Sequence, residues 1–217
     1  MKKRRQFYTG CGCLAVFLVW TAMVSRIDVQ AIGPEGSLVG LAGLNQWVHQ
    51  LTGVHMTLYT ITDWLGLVPL LLMMGFAFLG LFQWISRKGI RKVDRSILVL
   101  GVFYLVVLGV FLFFEEWVVN YRPVLIEGVM EASYPSSTTL LVLCVMPTAA
   151  MQLCKRIEKP VFRRWSVGLI SGFTLFMVVA RLVSGVHWVT DIVGGIFLSA
   201  GLVLLYAAFS GLEKEQE

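Results

Sequence analysis

Five side chains carry the chemistry that this 217-residue sequence offers: Arg122, Ser136, Arg181, His187 and Asp191. Two guanidiniums can hold one phosphate by paired, charge-assisted hydrogen bonds. Ser136 stands where a helix is expected to open, and the free N–H groups and dipole of a helix N-terminus favour an anion. His187 and Asp191 are four residues apart, so they share a face if the last helix begins early enough to take them in. A carboxylate on one ring nitrogen would fix the tautomer and make the other nitrogen the better nucleophile. That set suits transfer of a phosphoryl group to histidine, a reaction in which positioning and charge neutralisation do most of the catalysis. Each residue also has a plainer reading. Asp191 or Thr190 could cap a helix, His187 and Trp188 could anchor at a membrane interface, and Arg122 and Arg181 could snorkel to lipid head groups.

The elements that must position these residues are membrane helices. Hydrophobic residues make up 57% of the chain and charged residues 14%, against about 25% charged in a soluble domain. Such a composition excludes an ordinary soluble fold and excludes disorder. Continuous apolar runs at about 10–24, 65–85, 97–114, 136–154, 165–180 and 192–209 are each near the roughly 20 residues that cross a bilayer. They do not alternate as barrel strands would. The expectation is an all-α, polytopic six-helix bundle forming one membrane-embedded domain over residues 1–217. Its first helix is expected to be retained, because TAMVS after the first run is a poor signal-peptide cleavage site.

Charge sets the orientation. Lys2, Lys3, Arg4 and Arg5, then Arg87, Lys88, Arg91, Lys92 and Arg95, then Lys155, Arg156, Lys159, Arg163 and Arg164, and last Lys214 all fall on one side of six spans. The positive-inside rule makes that side cytoplasmic and puts both termini there. The net charge of +5 is therefore a topology signal, and no nucleic-acid partner is expected. Arg122, Ser136, Arg181, His187 and Asp191 all fall at the opposite, extracytoplasmic level. Trp84 and Trp165 lie at expected inner boundaries and Trp117 and Trp188 near outer ones. The segment 33–53 reads as a helix lying in the outer interface or a loop helix without special role, with His49 and His55 as ordinary surface histidines. The GLISG run at 168–172 has a small-xxx-small spacing expected to pack inside the bundle. The four cysteines form neither a disulfide framework nor a metal-ligand set.

In order and spacing these residues resemble the type 2 phosphatidic acid phosphatase family of membrane enzymes. Arg122-Pro123 match the end of its Lys, six residues, Arg-Pro signature, and Pro135-Ser136 the start of its Pro-Ser-Gly-His. Arg181, His187 and Asp191 match its Ser-Arg, five residues, His, three residues, Asp. The resemblance covers nearly the whole chain. It implies metal-independent hydrolysis of a lipid phosphate, without a cofactor, at the outer face of the cell membrane. In that scheme His187 is the nucleophile, Asp191 its orienting partner, and Arg122, Arg181 and Ser136 bind the phosphoryl oxygens. The implied partners are a phospholipid or polyprenyl phosphate substrate and membrane lipids.

Four positions depart from the pattern: Glu115 for the Lys, Ser137 and Thr138 for the Gly and His of the second signature, and Ala180 for the Ser of the third. A Thr138 hydroxyl is too weak an acid to protonate an alkoxide, and general acid catalysis is typically worth about 10²–10⁴-fold. The favoured expectation is a polyprenyl diphosphate substrate, such as undecaprenyl diphosphate, whose phosphate leaving group needs less protonation. Alternatively Glu116, Glu127, Glu131 or Tyr134 supplies the proton, a role for which burial can raise a carboxyl pKa. A further reading is a weak or inactive member that binds anionic head groups or scaffolds a membrane complex. A transporter is disfavoured, because no ionisable residue lies near the middle of a span.

Overall fold

The structure is a computed structural model that describes residues 2–212; the Lys214 assigned to the cytoplasmic side lies outside them. Eight α-helices occur among the described residues: α1 (Lys2–Arg26), α2 (Ala42–Thr52), α3 (Met56–Leu65), α4 (Leu67–Ser86), α5 (Arg95–Glu116), α6 (Ser137–Arg156), α7 (Pro160–Val183) and α8 (Val189–Phe209). Six are long and apolar enough to cross a membrane, counting α3 and α4 as one span over Met56–Ser86. The bundle is all-α and polytopic, as expected.

Every span outruns its apolar run, because a helix continues until its backbone is stopped, whereas hydropathy ends at the first polar side chain. The largest difference is in the second span. It begins at Met56 rather than 65, because the Thr and Asp residues of MTLYTITDWL lower the hydropathy of a helix in which Thr62 alone is buried. The last span likewise begins at Val189 rather than 192.

The core is formed by α1, α5, α6 and α8. Phe17, Leu100, Phe103, Tyr104, Leu140, Val145, Leu198 and Tyr206 pack there. Helices α1 and α8 touch at Gly10 and Gly201, where a Cβ on Gly201 would lie 2.6 Å from the Leu14 side chain. The glycines of the GLISG run make no close helix contact, since a Cβ on Gly168 or Gly172 would meet nothing within 4 Å, although Ile170 between them packs against Val142, Met146 and Met177. The buried face of α7 carries Met177, Ala180 and Arg181. Gly168 lies nine residues, or two and a half turns, from Met177 and so faces the other way.

The segments 27–55, 117–136 and 184–188 meet at one end of the bundle. Gly40 N–H donates to Asn120 Oδ1 (3.3 Å), Asn45 Nδ2 donates to Thr190 Oγ1 (3.0 Å), and His55 N–H donates to the Ser184 carbonyl (2.9 Å). Helix α2 covers this end with Trp47 and Leu51 exposed and Asn45 buried.

Candidate active site

The segment between α5 and α6 folds back on itself as a narrow hairpin. Arg122 N–H donates to the Glu131 carbonyl (3.1 Å) and Ser133 N–H to that of Asn120 (2.9 Å), so Arg122 rides on one arm and Glu131 and Ser133 on the other. Trp188 Nε1 pins the first arm by donating to the Tyr121 carbonyl (2.8 Å). Tyr134 anchors the second. Its ring is buried and parallel to Phe17 at 6.2 Å, and its hydroxyl bonds that of Thr21 (2.7 Å). Gly194 is required beneath it, since a Cβ there would come within 2.7 Å of the ring.

The turn from α7 to α8 is equally constrained. Gly185 has φ +68°, and a Cβ would fall 1.8 Å from the Gly53 carbonyl oxygen; only glycine allows both the left-handed backbone and the contact. This turn delivers His187 into the protein interior just ahead of α8.

All five expected site residues are buried: Arg122 8% exposed, Ser136 0%, Arg181 1%, His187 3% and Asp191 0%. Snorkelling arginines and interfacial His187 and Trp188 do not fit this burial, and Trp188 is itself 3% exposed. The helix-cap reading of Asp191 holds, for its Oδ2 accepts the Trp188 N–H (2.8 Å). Capping and placement beside His187 are thus properties of one carboxylate. The direct carboxylate–imidazole bond expected from the spacing is absent. Asp191 Oδ2 lies 3.7 Å from His187 Nδ1, because that oxygen is taken by the Trp188 N–H and by the Ser133 hydroxyl. Ser133 Oγ is itself 3.1 Å from His187 Nδ1.

The two guanidiniums share one aromatic ring. The Arg181 Cζ lies 4.8 Å and the Arg122 Cζ 5.8 Å from the centroid of Tyr59, within cation–π range. Each has a carboxylate at the rim: Arg122 Nη2 is 3.0 Å from Glu131 Oε2 and Arg181 Nη1 is 3.8 Å from Asp63 Oδ1. Arg181 Nη1 also donates to Thr62 Oγ1 (3.2 Å). Burial first, then the charges of Arg122 and Arg181, push the His187 imidazole well below its ordinary value of 6.5; the Ser133 backbone acts the other way. His187 is therefore neutral at physiological pH, the state in which a ring nitrogen keeps a lone pair.

What remains unpartnered is informative. Arg122 Nε and Nη1, Arg181 Nε, Ser136 Oγ, Thr139 Oγ1 and His187 Nε2 are buried without a hydrogen-bond partner. Buried polar atoms are ordinarily satisfied, since leaving one bare costs about 1–3 kcal/mol. Ser136 is the N-cap of α6 yet spends no side-chain bond on capping. Guanidinium N–H groups, a hydroxyl at a helix start and a bare imidazole nitrogen together can receive a tetrahedral anion next to a nucleophile.

The expected proton donors are placed unequally. Glu131 reaches Arg122, Glu116 is exposed at the end of α5, and Thr138 is half-buried in the first turn of α6. Glu115, where the signature has Lys, is exposed. Ser133, Tyr59, Thr62, Asp63 and Asn120 were not singled out from the sequence. The only early signal for the α3 residues was the polar spacing of 57–63, which hydropathy alone reads as a break.

Residues 113–214 match the model of the PAP2 superfamily. A curated relative, phosphatidylglycerophosphatase B of Bacillus subtilis (strain 168), is 34% identical over 95 residues, which cover 42% of this chain and 46% of the relative. The match thus spans about half the length of that relative. A crystal structure of a transmembrane PAP2-type phosphatidylglycerolphosphate phosphatase from Bacillus subtilis superposes with a TM-score of 0.64 at 20% identity. It covers 97% of this chain and 100% of the other, a likeness in fold.

Proposed function

We propose that this chain, which belongs to the PAP2 superfamily through residues 113–214, hydrolyses a lipid phosphate or diphosphate through a phosphohistidine. The observation that carries the reading is the unpartnered set: buried donors on Arg122, Arg181 and Ser136 around a neutral imidazole whose Nε2 has no hydrogen bond. A merely structural cluster would satisfy its own atoms.

The geometry supports two steps. The free N–H groups of Arg122 and Arg181 and the Ser136 hydroxyl hold the phosphoryl oxygens and neutralise their charge. The Nε2 lone pair of His187 attacks phosphorus, the bond from phosphorus to the leaving oxygen breaks, and that oxygen takes a proton. Water then attacks the phosphohistidine, the N–P bond breaks, and inorganic phosphate leaves with the imidazole neutral again. Asp191 stabilises the imidazolium character that develops. Of the expected donors we favour Glu131, at the mouth of the site, over Glu116 and Thr138; it meets Arg122 as a carboxylate at 3.0 Å, so it relays a proton from water to the leaving oxygen rather than carrying one of its own. Positive charge comes from the two guanidiniums, so the scheme runs without a divalent metal.

The substrate we favour is a polyprenyl diphosphate. With Thr138 in place of a general acid, a phosphate leaving group is easier to expel than an alkoxide. A second reading, phosphatidylglycerol phosphate, is favoured by the relatives. The site is assigned to the extracytoplasmic side of the cell membrane, because the basic segments around 87–95 and 155–164 lie at the other end. The test is phosphate release in detergent, without divalent metal, from phosphatidic acid, phosphatidylglycerol phosphate and a polyprenyl diphosphate. The diphosphate should turn over fastest, and His187→Ala should release none. Faster turnover of the phosphatidylglycerol phosphate selects the second reading. Equal rates in parent and His187→Ala refute the histidine nucleophile.

A further inference from the structure

His187 and Asp191 are poised as a pair yet do not touch: 3.7 Å separates Nδ1 from Oδ2. The Ser133 hydroxyl fills the gap, bonded to Asp191 Oδ2 on one side and 3.1 Å from His187 Nδ1 on the other. A hydroxyl has one proton to give. Asp191, an acceptor when ionised, draws that proton, so the Ser133 oxygen is left to accept from His187. The ring proton must then be on Nδ1.

We propose that Ser133 is a positioning residue which links Asp191 to His187 by accepting the Nδ1 proton and donating its own to the carboxylate. This fixes the tautomer that leaves the Nε2 lone pair free. Serine fits the task because it is held on every side. Ser133 is 2% exposed, its N–H is fixed to the Asn120 carbonyl, and the next residue, Tyr134, is clamped between Phe17, Thr21 and Gly194. Asn120 reinforces the arrangement from the other side, with Nδ2 3.5 Å from Asp191 Oδ1. The carboxylate thus acts on the ring through an intervening hydroxyl, while its own geometry is set by capping α8.

The inference rests on His187 being the nucleophile, and its test separates the two claims. Ser133→Ala is compared with the parent in two measurements. One is kcat and KM for phosphate release from whichever lipid turns over fastest. The other is the nitrogen NMR spectrum of protein labelled in its three histidines, with His187 assigned by its absence in His187→Ala. The parent should show Nδ1 protonated and Nε2 bare. Ser133→Ala should show a mixture of tautomers, with kcat down about 10- to 100-fold and KM within about twofold. The loss is smaller than the ~10⁴-fold that follows when the orienting carboxylate itself is disabled in a histidine-dependent hydrolase, since Asp191 remains nearby. An unchanged tautomer in Ser133→Ala, an unchanged kcat, or a loss confined to KM each overturns the proposal. Activity surviving in His187→Ala refutes the nucleophile instead, and the spectrum still decides the tautomer.

Discussion

The two ends of the bundle are built from the same residue types and put them to opposite use. At the end away from the site, Asp94, Arg87, Arg156, Gln83, Gln152, Ser96 and Tyr206 form a polar cluster between α4, α5, α6 and α8. Asp94 accepts from Arg87 Nη1 (2.8 Å), Gln83 Nε2 (2.9 Å) and Arg156 Nη2 (3.4 Å). Gln152 Nε2 donates to the Ser96 carbonyl (3.0 Å) and to the Tyr206 hydroxyl (2.5 Å), and its Oε1 accepts from Arg156. None of these side chains leaves a buried atom unpartnered among the described residues. At the site end, two arginines, a serine and a histidine keep buried atoms bare although they are more deeply buried than Arg87, Arg156 and Asp94. A polar cluster that satisfies itself holds helices together, and one that does not is waiting for a ligand. The pKa directions agree. The hydrogen bond from Arg87, ahead of other causes, holds the Asp94 carboxyl below its ordinary value, so its charged form is stabilised. Burial and neighbouring cations deny His187 its charged form.

The sharpest way to break this comparison is at its reactive atom. His187→Ala should lower phosphate release by about 10⁴-fold or more, as loss of a nucleophile does, and should abolish trapping of an acid-labile, base-stable phosphoenzyme with little change in Tm. Next, Arg181→Gln should cost about 10²–10³-fold in kcat, the range for losing one donor to developing negative charge. Its counterpart at the other end, Gln152→Leu, should leave kcat within about twofold. It should instead lower stability by about 1–3 kcal/mol through the partners it strands, read as a drop in Tm of several degrees. A catalytic loss in Gln152→Leu equal to that in Arg181→Gln would erase the distinction between the ends. Thr138→His should raise monoester hydrolysis several-fold if a missing acid limits it; no gain would leave that role to Glu131. The smallest effect concerns pH. In the proposed scheme neutral His187 is the active form, and its pKa is depressed, so activity should persist below pH 6.5 and fall only as pH drops through the lowered value. In Arg122→Gln, one cation that disfavours protonation is gone, so the acid limb of kcat/KM should move upward.

Much of this was legible along the chain. The six spans follow from apolar runs, because hydrocarbon must be crossed by continuous helix. Arg122, Ser136, Arg181, His187 and Asp191 were identified by residue type and spacing, and all five lie buried at one end. Three of the missed residues share one cause, whereas Ser133 and Asn120 lie in the hairpin between α5 and α6. Tyr59, Thr62 and Asp63 sit on α3, a helix whose interspersed Thr and Asp residues make it look like loop to a hydropathy profile. Thr62 is fully buried against Arg181 while Asp63 stays at the rim. The GLISG run failed in the opposite direction, because a small-residue spacing says that a close approach is possible without saying which way the helix is turned.

The sequence by itself determined the bundle, and it pointed to the five polar residues that the structure buries at one end and to the anion proposed for them. These follow from local composition, charge asymmetry and residue type. Only the tertiary structure decided that His187 and Asp191 stand one hydroxyl apart, that Tyr59 lies against both guanidiniums, and which buried atoms are left bare. Such facts depend on distances of a few tenths of an ångström between residues from different helices, and spacing along a chain does not encode them.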